Sequence, residues 1–541
     1  MTKFATEKLL LARPVKNEPD FGVAWAYPNS YAVAMSGLGY QLIWWLLEQD
    51  PQVETYRVFS DACESGWQKA ELLGFTLSWE LDYANILSIL KSAGISLLSA
   101  ERELDAPLIF GGGPSLTANP EPFAEIFDVI LLGDAEITIP NLLAAWKEAR
   151  KLGTRAERLR HLANFSGLYV PSLYRCVYEE AQGALLAVEP LYDELPALQK
   201  QSFSAPDDYL AHSIILSRDS SFGDMFLLEL VRSCPQECRF CLASYLTRPF
   251  RGAGVQTVLK KIELAMKHTK RVGLLGPSVT EHPQFGELAL ELMKIPELEI
   301  SVSSIRIDTI EALLLQMLVK LGQKSVTIAL ESGSERLRKI MKKNLSQSEI
   351  WQAMDLIAES GIEQVKFYGI VGLPGENQED LEQTVELLTA IKKKYKKLRI
   401  VFGISSFVPK AQTPFQWSGR SKDCAARMEF LRKKLARLGI EVRPESHNWS
   451  DIQTYLSRAD RRVTPLLLGL ADGAGKLGDW KKAFREKSAS YPLSDFYIYR
   501  EIPETECLPW AHLQDSAKQL ILKRHKHAAE EAMIPASPAQ T

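Results

Sequence analysis

Three of the chain's seven cysteines fall within eight residues, in the run Cys234-Pro-Gln-Glu-Cys238-Arg-Phe-Cys241. At this abundance the fixed spacing arises by chance on the order of once in a thousand chains, so the run is read as thiolate chemistry. Thiolates this close converge on one metal centre from a single loop, whereas disulfides tie distant segments together. Three ligands also leave one metal corner without a protein donor, where a substrate can bind. Structural zinc and electron-transfer clusters close their shell with a fourth ligand. Zinc closure would call on His268 or His282, and neither has companion ligands at metal-site spacing. Cys63, Cys176, Cys424 and Cys507 stand singly and read as small buried hydrophobes of a reducing compartment.

The elements that must position this loop follow from the pattern of apolar runs. Runs at residues 225–231, 272–275, 298–303, 325–330, 364–370 and 400–406 alternate with helical patterns. They predict six parallel βα units, a partial (β/α)6 barrel over residues 225–415, with the chemistry at the carboxyl ends of the strands. The cysteine loop follows the first run. Later strand ends carry Gly273-Leu-Leu-Gly276-Pro277, Ser303-Ser-Ile-Arg306, Glu331-Ser332-Gly333-Ser334 and Gly369-Ile-Val-Gly372-Leu-Pro-Gly-Glu376. Each also has a plain structural reading, Ser332-Gly-Ser334 as a helix cap and Pro374-Gly375 as a turn.

Before that domain, strand-like runs at 21–27, 72–77, 107–110 and 129–132 alternate with amphipathic segments at 38–47, 83–92, 122–126 and 137–151. This predicts a doubly wound, Rossmann-like parallel sheet over residues 18–155. Its carboxyl-end loops are Pro28-Asn-Ser30, Ser78, Gly111-Gly-Gly-Pro114 and Gly133-Asp-Ala-Glu136. Residues 156–224 read as a connector with short strands, and Pro206-Asp-Asp208 places its boundary near residue 210. Residues 416–541 form a smaller, mostly helical region, with helices at 427–438, 450–456, 463–471 and 517–529, a short strand at 496–500 and a frayed end from 534. The basic runs 392–397 and 523–527 read as solvated surface. The fold class is α/β.

The 541 residues are 46% hydrophobic and 24% charged with a net charge of −3, an ordinary globular balance that gives no global electrostatic case for nucleic acid. No apolar stretch approaches the roughly 20 residues of a membrane helix, and the first residues do not read as a signal or transit peptide. A cytoplasmic protein without membrane partners is expected.

The cysteine spacing, with the aromatic Phe240 before the last cysteine, resembles the radical S-adenosylmethionine superfamily. The resemblance implies that Cys234, Cys238 and Cys241 hold three irons of a [4Fe–4S] cluster and that the fourth iron chelates S-adenosylmethionine. It implies that a reductant such as flavodoxin or ferredoxin supplies one electron, and that a 5′-deoxyadenosyl radical results. On the same resemblance Gly276 and Pro277 lie at the methionine amino end. Ser303 and Arg306 face polar groups or carboxylate, Glu331, Ser332 and Gly333 face ribose, Gly372 lies on the adenine side, and Phe240 packs near adenine or cluster. No catalytic acid or base is singled out.

The N-terminal loops resemble a cobalamin-binding-like domain through Phe75-Thr-Leu-Ser78, the triple glycine and Leu132-Gly-Asp-Ala-Glu136. The Asp-x-His-x-x-Gly loop of one cobalamin class has no counterpart, and residues 1–160 contain no histidine. Cobalamin binding and a structural or substrate-presenting role both stay open. Tyr27-Pro-Asn-Ser-Tyr31, Val408 to Trp417, Ser457-Arg-Ala-Asp-Arg-Arg462 and Leu508-Pro-Trp-Ala-His512 resemble a group of radical proteins in which both domains are fused. With cobalamin, methyl transfer to an unactivated carbon is the implied reaction. Without it the readings are radical modification of RNA or a small molecule, such as sulfur insertion, or a non-catalytic iron–sulfur sensor.

Overall fold

The computed structural model describes residues 3–181, 183–204, 210–471, 473, 475–487, 494–514 and 516–534. These divide into two compact units, one of residues 1–205, 211–224 and 452–515, the other of residues 206–210, 225–451 and 516–541. Pro206 to Asp208 and the residues from 535 onward lie outside the described set. No described helix is long and apolar enough to cross a membrane.

In the first unit the apolar runs become β1 (Phe21–Tyr27), β3 (Leu72–Thr76), β4 (Leu108–Gly112) and β5 (Val129–Leu131). A further strand, β2 (Val53–Phe59), was not expected. It carries Arg57 in its middle, which breaks the apolar pattern, yet Arg57 is buried because Glu7 and Glu64 both accept from its guanidinium. The strand order is β2-β1-β3-β4-β5, all parallel, with the short β6 (Leu168–Tyr169) added antiparallel to β5. This is a doubly wound order whose ligand crevice falls between β1 and β3, where the chain changes direction across the sheet. Helices α1 (Leu38–Glu48), α2 (Tyr83–Ser92) and α3 (Ala135–Ala149) cover it. The amphipathic run at 122–126 supplies only a 3-10 turn, Glu121–Phe123. The connector forms a hairpin, β7 (Tyr174–Tyr178) and β8 (Leu185–Pro190). Residues 496–500, expected as a strand, fall largely in a helix, Ser494–Ile498, where Phe496 and Tyr497 meet edge to face.

The second unit realises the six βα runs as β9 (Phe226–Glu229), β10 (Arg271–Leu275), β11 (Glu299–Val302), β12 (Ser325–Glu331), β13 (Gln364–Val371) and β14 (Arg399–Ser406). A short polar strand, β15 (Glu441–Pro444), adds a seventh. The strands run parallel in sequence order. Between β11 and β12 the only ladder contact described is the parallel bridge Ile305 to Ile328, and no pairing closes β15 onto β9 among the described residues. The result is a partial barrel. Its outer helices are α4 (Val255–Met266), α5 (Phe285–Leu292), α6 (Ala312–Lys320), α7 (Glu335–Ile340), α8 (Gln347–Ser360), α9 (Gln378–Lys394), α10 (Cys424–Ala436) and α11 (Ser516–Met533). Capping boxes at Ser346 and Asn377 start α8 and α9.

One buried charge cluster fixes the first unit's sheet. Asp128, fully buried just before β5, accepts from Ser99, from Arg102 at 3.0 Å, from Arg155 at 2.7 Å and from the Ile109 amide at 2.7 Å. Asp128→Ala leaves Arg102 and Arg155 their backbone carbonyl partners but takes away the one carboxylate that balances both, and is expected to cost about 3–5 kcal/mol in urea unfolding; a loss below about 1 kcal/mol would show that water reaches the cluster.

Candidate active site

Strand β9 delivers the cysteine loop, and the loop's backbone is strained at two residues that carry side chains. Ser233 and Glu237 sit in the left-handed region at φ 71° and 54°. Each such residue costs on the order of 1–3 kcal/mol, which surrounding contacts must offset, and such residues concentrate at functional sites. The Cys241 amide donates to the Cys238 carbonyl at 3.0 Å, closing the turn between the last two thiols. Cys238 is buried, Cys234 and Cys241 are half-buried, and all three thiols are free. Burial pushes the Cys238 thiol up to about 11, partly countered by the cations Lys343 and Arg306. Burial raises Cys234 as well.

Arg239, between the second and third thiols, ties the loop to α7. Its amide donates to the Met341 carbonyl at 2.9 Å, and its guanidinium donates to the Lys339 and Ile340 carbonyls. A cation thus satisfies the unpaired carbonyls of a helix C-terminus while anchoring the loop. Phe240 packs on an apolar cluster of Leu337, Ile340, Met341, Leu373, Phe407 and Phe415.

Four charged side chains gather at the strand ends beside the thiols. Glu331, at the end of β12 with φ 64°, accepts from the Lys343 ammonium at 2.7 Å, and both are buried. Arg306, after β11, pairs with Asp308 at 2.6 Å and lies 3.9 Å from Glu281. Glu281, after β10, accepts from Ser278 and Gln236 and lies 3.8 Å from the Cys234 sulfur. Glu281 and Lys343 are the residues the sequence did not single out. The acid of the second strand end sits five residues past Gly276 rather than beside it. Lys343 is one of two adjacent lysines, with no local mark of which is buried.

The remaining expected positions divide by neighbourhood. Gly276 lies against Val231, just ahead of the cysteine loop, where a Cβ would stand 2.5 Å from the Val231 side chain and 2.6 Å from its carbonyl oxygen. Pro277 and Ser303 are exposed, and the Ser303 hydroxyl donates to the Gly276 carbonyl at 3.4 Å. Ser332 and Gly333 are buried against α9. The Gly333 amide donates to Thr384 at 2.9 Å, and the Ser332 hydroxyl accepts from the Ser334 amide at 3.1 Å. Ser334 caps α7. The Gly372 amide donates to the buried Glu376 at 2.6 Å. His282 is engaged at both ring nitrogens, with the Ala253 carbonyl at 2.5 Å and the Gln284 amide at 3.2 Å, which removes it as a fourth metal ligand.

Comparison with known proteins bears on the same elements. The family described as "Radical SAM superfamily" matches residues 228–388, and "Radical SAM proteins, N-terminal" matches residues 39–171, together more than half of the chain. An uncharacterised protein of Methanocaldococcus jannaschii is 28% identical over 448 residues, 82% of this chain and 90% of that one. A tRNA-2-methylthio-N(6)-dimethylallyladenosine synthase of Flavobacterium psychrophilum is 22% identical over 56% of this chain and 70% of its own. The structure of the radical S-adenosylmethionine methyltransferase TsrM from Kitasatospora setae, with cobalamin and a [4Fe–4S] cluster bound, shares the fold with a TM-score of 0.54 at 13% identity. It covers 87% of this chain and 99% of that one. The cobalamin-dependent radical enzyme OxsB follows with a TM-score of 0.50 at 15% identity, over 68% of this chain and 52% of that one. The chain belongs to the radical S-adenosylmethionine superfamily and is an enzyme of it.

Proposed function

We propose that Cys234, Cys238 and Cys241 hold a single [4Fe–4S] cluster whose fourth iron binds S-adenosylmethionine, and that the enzyme starts its reaction by radical hydrogen abstraction. The observation that carries this reading is the set of three free thiols on one strained loop with Glu281, Arg306, Glu331 and Lys343 beside it. A cluster held by these three thiolates would supply one-electron reduction of the sulfonium, the electron coming from a carrier such as flavodoxin or ferredoxin, with cleavage of the bond to C5′ into methionine and the 5′-deoxyadenosyl radical.

The chain's own residues supply a donor set complementary to that substrate. Arg306 and Lys343 are the cations for its carboxylate, and Glu281 is the carboxylate for its ammonium group. Glu331 is an acceptor for ribose hydroxyls, and Phe240 with Leu373 and Ile370 offers apolar surface to adenine. The Gly333 amide on Thr384 of α9 and the Ser332 hydroxyl on the Ser334 amide hold the Glu331 turn in place. The tRNA-modifying relatives, at 22% identity over 56% of the chain, support a shared first step rather than a shared substrate.

A second reading, cobalamin-dependent methyl transfer, is favoured by the fold shared with TsrM and OxsB, whose structures hold cobalamin. The loops at the carboxyl edge of the first unit's sheet are held by groups of the chain itself. At the crevice between β1 and β3, Asn29 donates to Asp82 at 2.9 Å and Asn85 to the Pro28 carbonyl at 2.8 Å. Gln201 bridges Gly133, donating to the Leu132 carbonyl at 2.9 Å and accepting from the Asp134 amide at 3.0 Å. Glu80 accepts from Gln453 and Ser457, and Asn119 donates to the Ser457 and Ala459 carbonyls. The loops are thus engaged with the chain's own segments, and no step is assigned to cobalamin.

Reconstituted without oxygen, the protein should carry about four irons per chain, falling sharply in Cys238→Ala. With reductant and S-adenosylmethionine it should release 5′-deoxyadenosine, and a loaded sample that releases none rules the reading out. Lys343→Met should raise KM for S-adenosylmethionine about tenfold to a hundredfold, the loss of one charge-assisted hydrogen bond. Gel filtration with added cobalamin separates the two readings: corrin absorbance that co-elutes with the protein favours methyl transfer, and corrin that separates while deoxyadenosine release is unchanged favours the cobalamin-independent reaction.

A further inference from the structure

The middle of the cysteine loop is gripped from an element nearly three hundred residues away. Helix α11 turns Leu522, His525 and Ala529 inward at helical spacing, and all three are buried. Ala529, with Ala532 and Met533 packed beside it, completes the apolar cluster on which Phe240 rests. His525 falls inside the basic run 523–527 that the sequence assigns to solvated surface. Arg524 and His527 are exposed there, but His525 is not.

The imidazole of His525 meets the Tyr245 hydroxyl at Nδ1, at 3.0 Å, with the two rings edge to face at 6.0 Å and 84°. Tyr245 lies four residues beyond Cys241, and its hydroxyl donates to the Glu237 carbonyl at 2.7 Å. A phenol has one hydrogen. With that hydrogen on Glu237, the hydrogen bond from His525 must run from Nδ1–H to the tyrosine oxygen. Burial, reinforced by nearby Lys342, Arg239, Arg524 and Arg248, lowers the His525 pKa to about 4, so the ring is neutral and this tautomer can persist. The other ring nitrogen stands 3.8 Å from the Glu237 carboxylate, which also pairs with Lys342 at 2.6 Å and with Arg248.

Glu237 is the strained residue that separates Cys234 from Cys238. Its carbonyl direction sets how the following peptide enters Cys238, and the hydroxyl of Tyr245 fixes that direction. We propose that His525 is a positioning residue for the cysteine loop, acting through Tyr245 on the Glu237 peptide to set the shape in which the three thiolates meet their metal centre. The inference rests on the cluster assignment above and extends the site to α11, since first-loop ligands are held in register by the groups hydrogen-bonded behind them.

The test compares wild type, His525→Ala, His525→Asn, Tyr245→Phe and Cys238→Ala after the same anaerobic reconstitution. The readouts are iron per chain, the electron paramagnetic resonance spectrum of the reduced cluster and the lifetime of the cluster in air. His525→Ala should lose its cluster about tenfold faster and show shifted g-values. His525→Asn, whose amide nitrogen can still donate to Tyr245, should restore both. Tyr245→Phe, which keeps the ring packing and removes only the hydroxyl, should match His525→Ala; it carries the test if His525→Ala fails to fold. Wild-type spectra and lifetimes in both His525→Ala and Tyr245→Phe would overturn the proposal while leaving the cluster assignment intact. Failure of wild type itself to take up iron would overturn both.

Discussion

Four residues with side chains, Ser233, Glu237, Glu331 and Lys342, are held in left-handed backbone around one loop, and the rest of the second unit is arranged to keep them there. Left-handed geometry at a non-glycine residue relaxes unless neighbouring contacts over-determine it. Each of the three charged members has such contacts. Glu237 is held by Lys342 and Arg248, Glu331 by Lys343, and Lys342 by Glu237 in return. The loop therefore closes on itself as a set of short ion pairs, and Arg239 adds a backbone anchor to the C-terminal turn of α7. Removing any one group frees more than its own bond.

Local signals were readable in the sequence and distant ones were not. The cysteine cluster was legible because three thiols within eight residues need only one loop to lie together. The six parallel strands were legible because each carries apolar residues that are buried in a continuous run or at alternate positions. Strand β2 escaped because Arg57 interrupts it, and only Glu7 and Glu64, far apart in sequence, make that arginine buriable. Glu281 and Lys343 escaped for a related reason: nothing about either residue marks it as lying near a thiol until β10 and β12 align their ends. His525 was misjudged because a basic run reads as uniform, whereas a helix turns only one residue in three or four of it inward.

The fused-domain resemblance now has a physical content that is structural rather than chemical. Arg461 donates to Glu121 and to the Tyr169 hydroxyl and Tyr174 carbonyl, and His512 lies against the rings of Tyr169 and Tyr174. Glu121 is fully buried; burial is the largest influence on its carboxyl and acts upward, but Arg461, His512 and the Tyr169 hydroxyl together outweigh it, so the carboxyl stays below the usual range. The motif residues at 457–462 and 508–512 thus close the first unit's core onto its own sheet. Burying a paired charge contributes little net stability compared with apolar packing, yet removing one partner is severe, which explains why such residues come as sets.

The contact between Tyr245 and His525 joins residues 280 positions apart. At roughly 5–20 residues per second of synthesis, the interval between them is on the order of 15–60 s on the ribosome. Through that interval the cysteine loop has emerged without the helix that braces it, its three thiols exposed to whatever metal or oxidant the cell offers. The loop and the helix that braces it are thus made at the two ends of the second unit's synthesis, and the brace forms only when the last described residues have emerged.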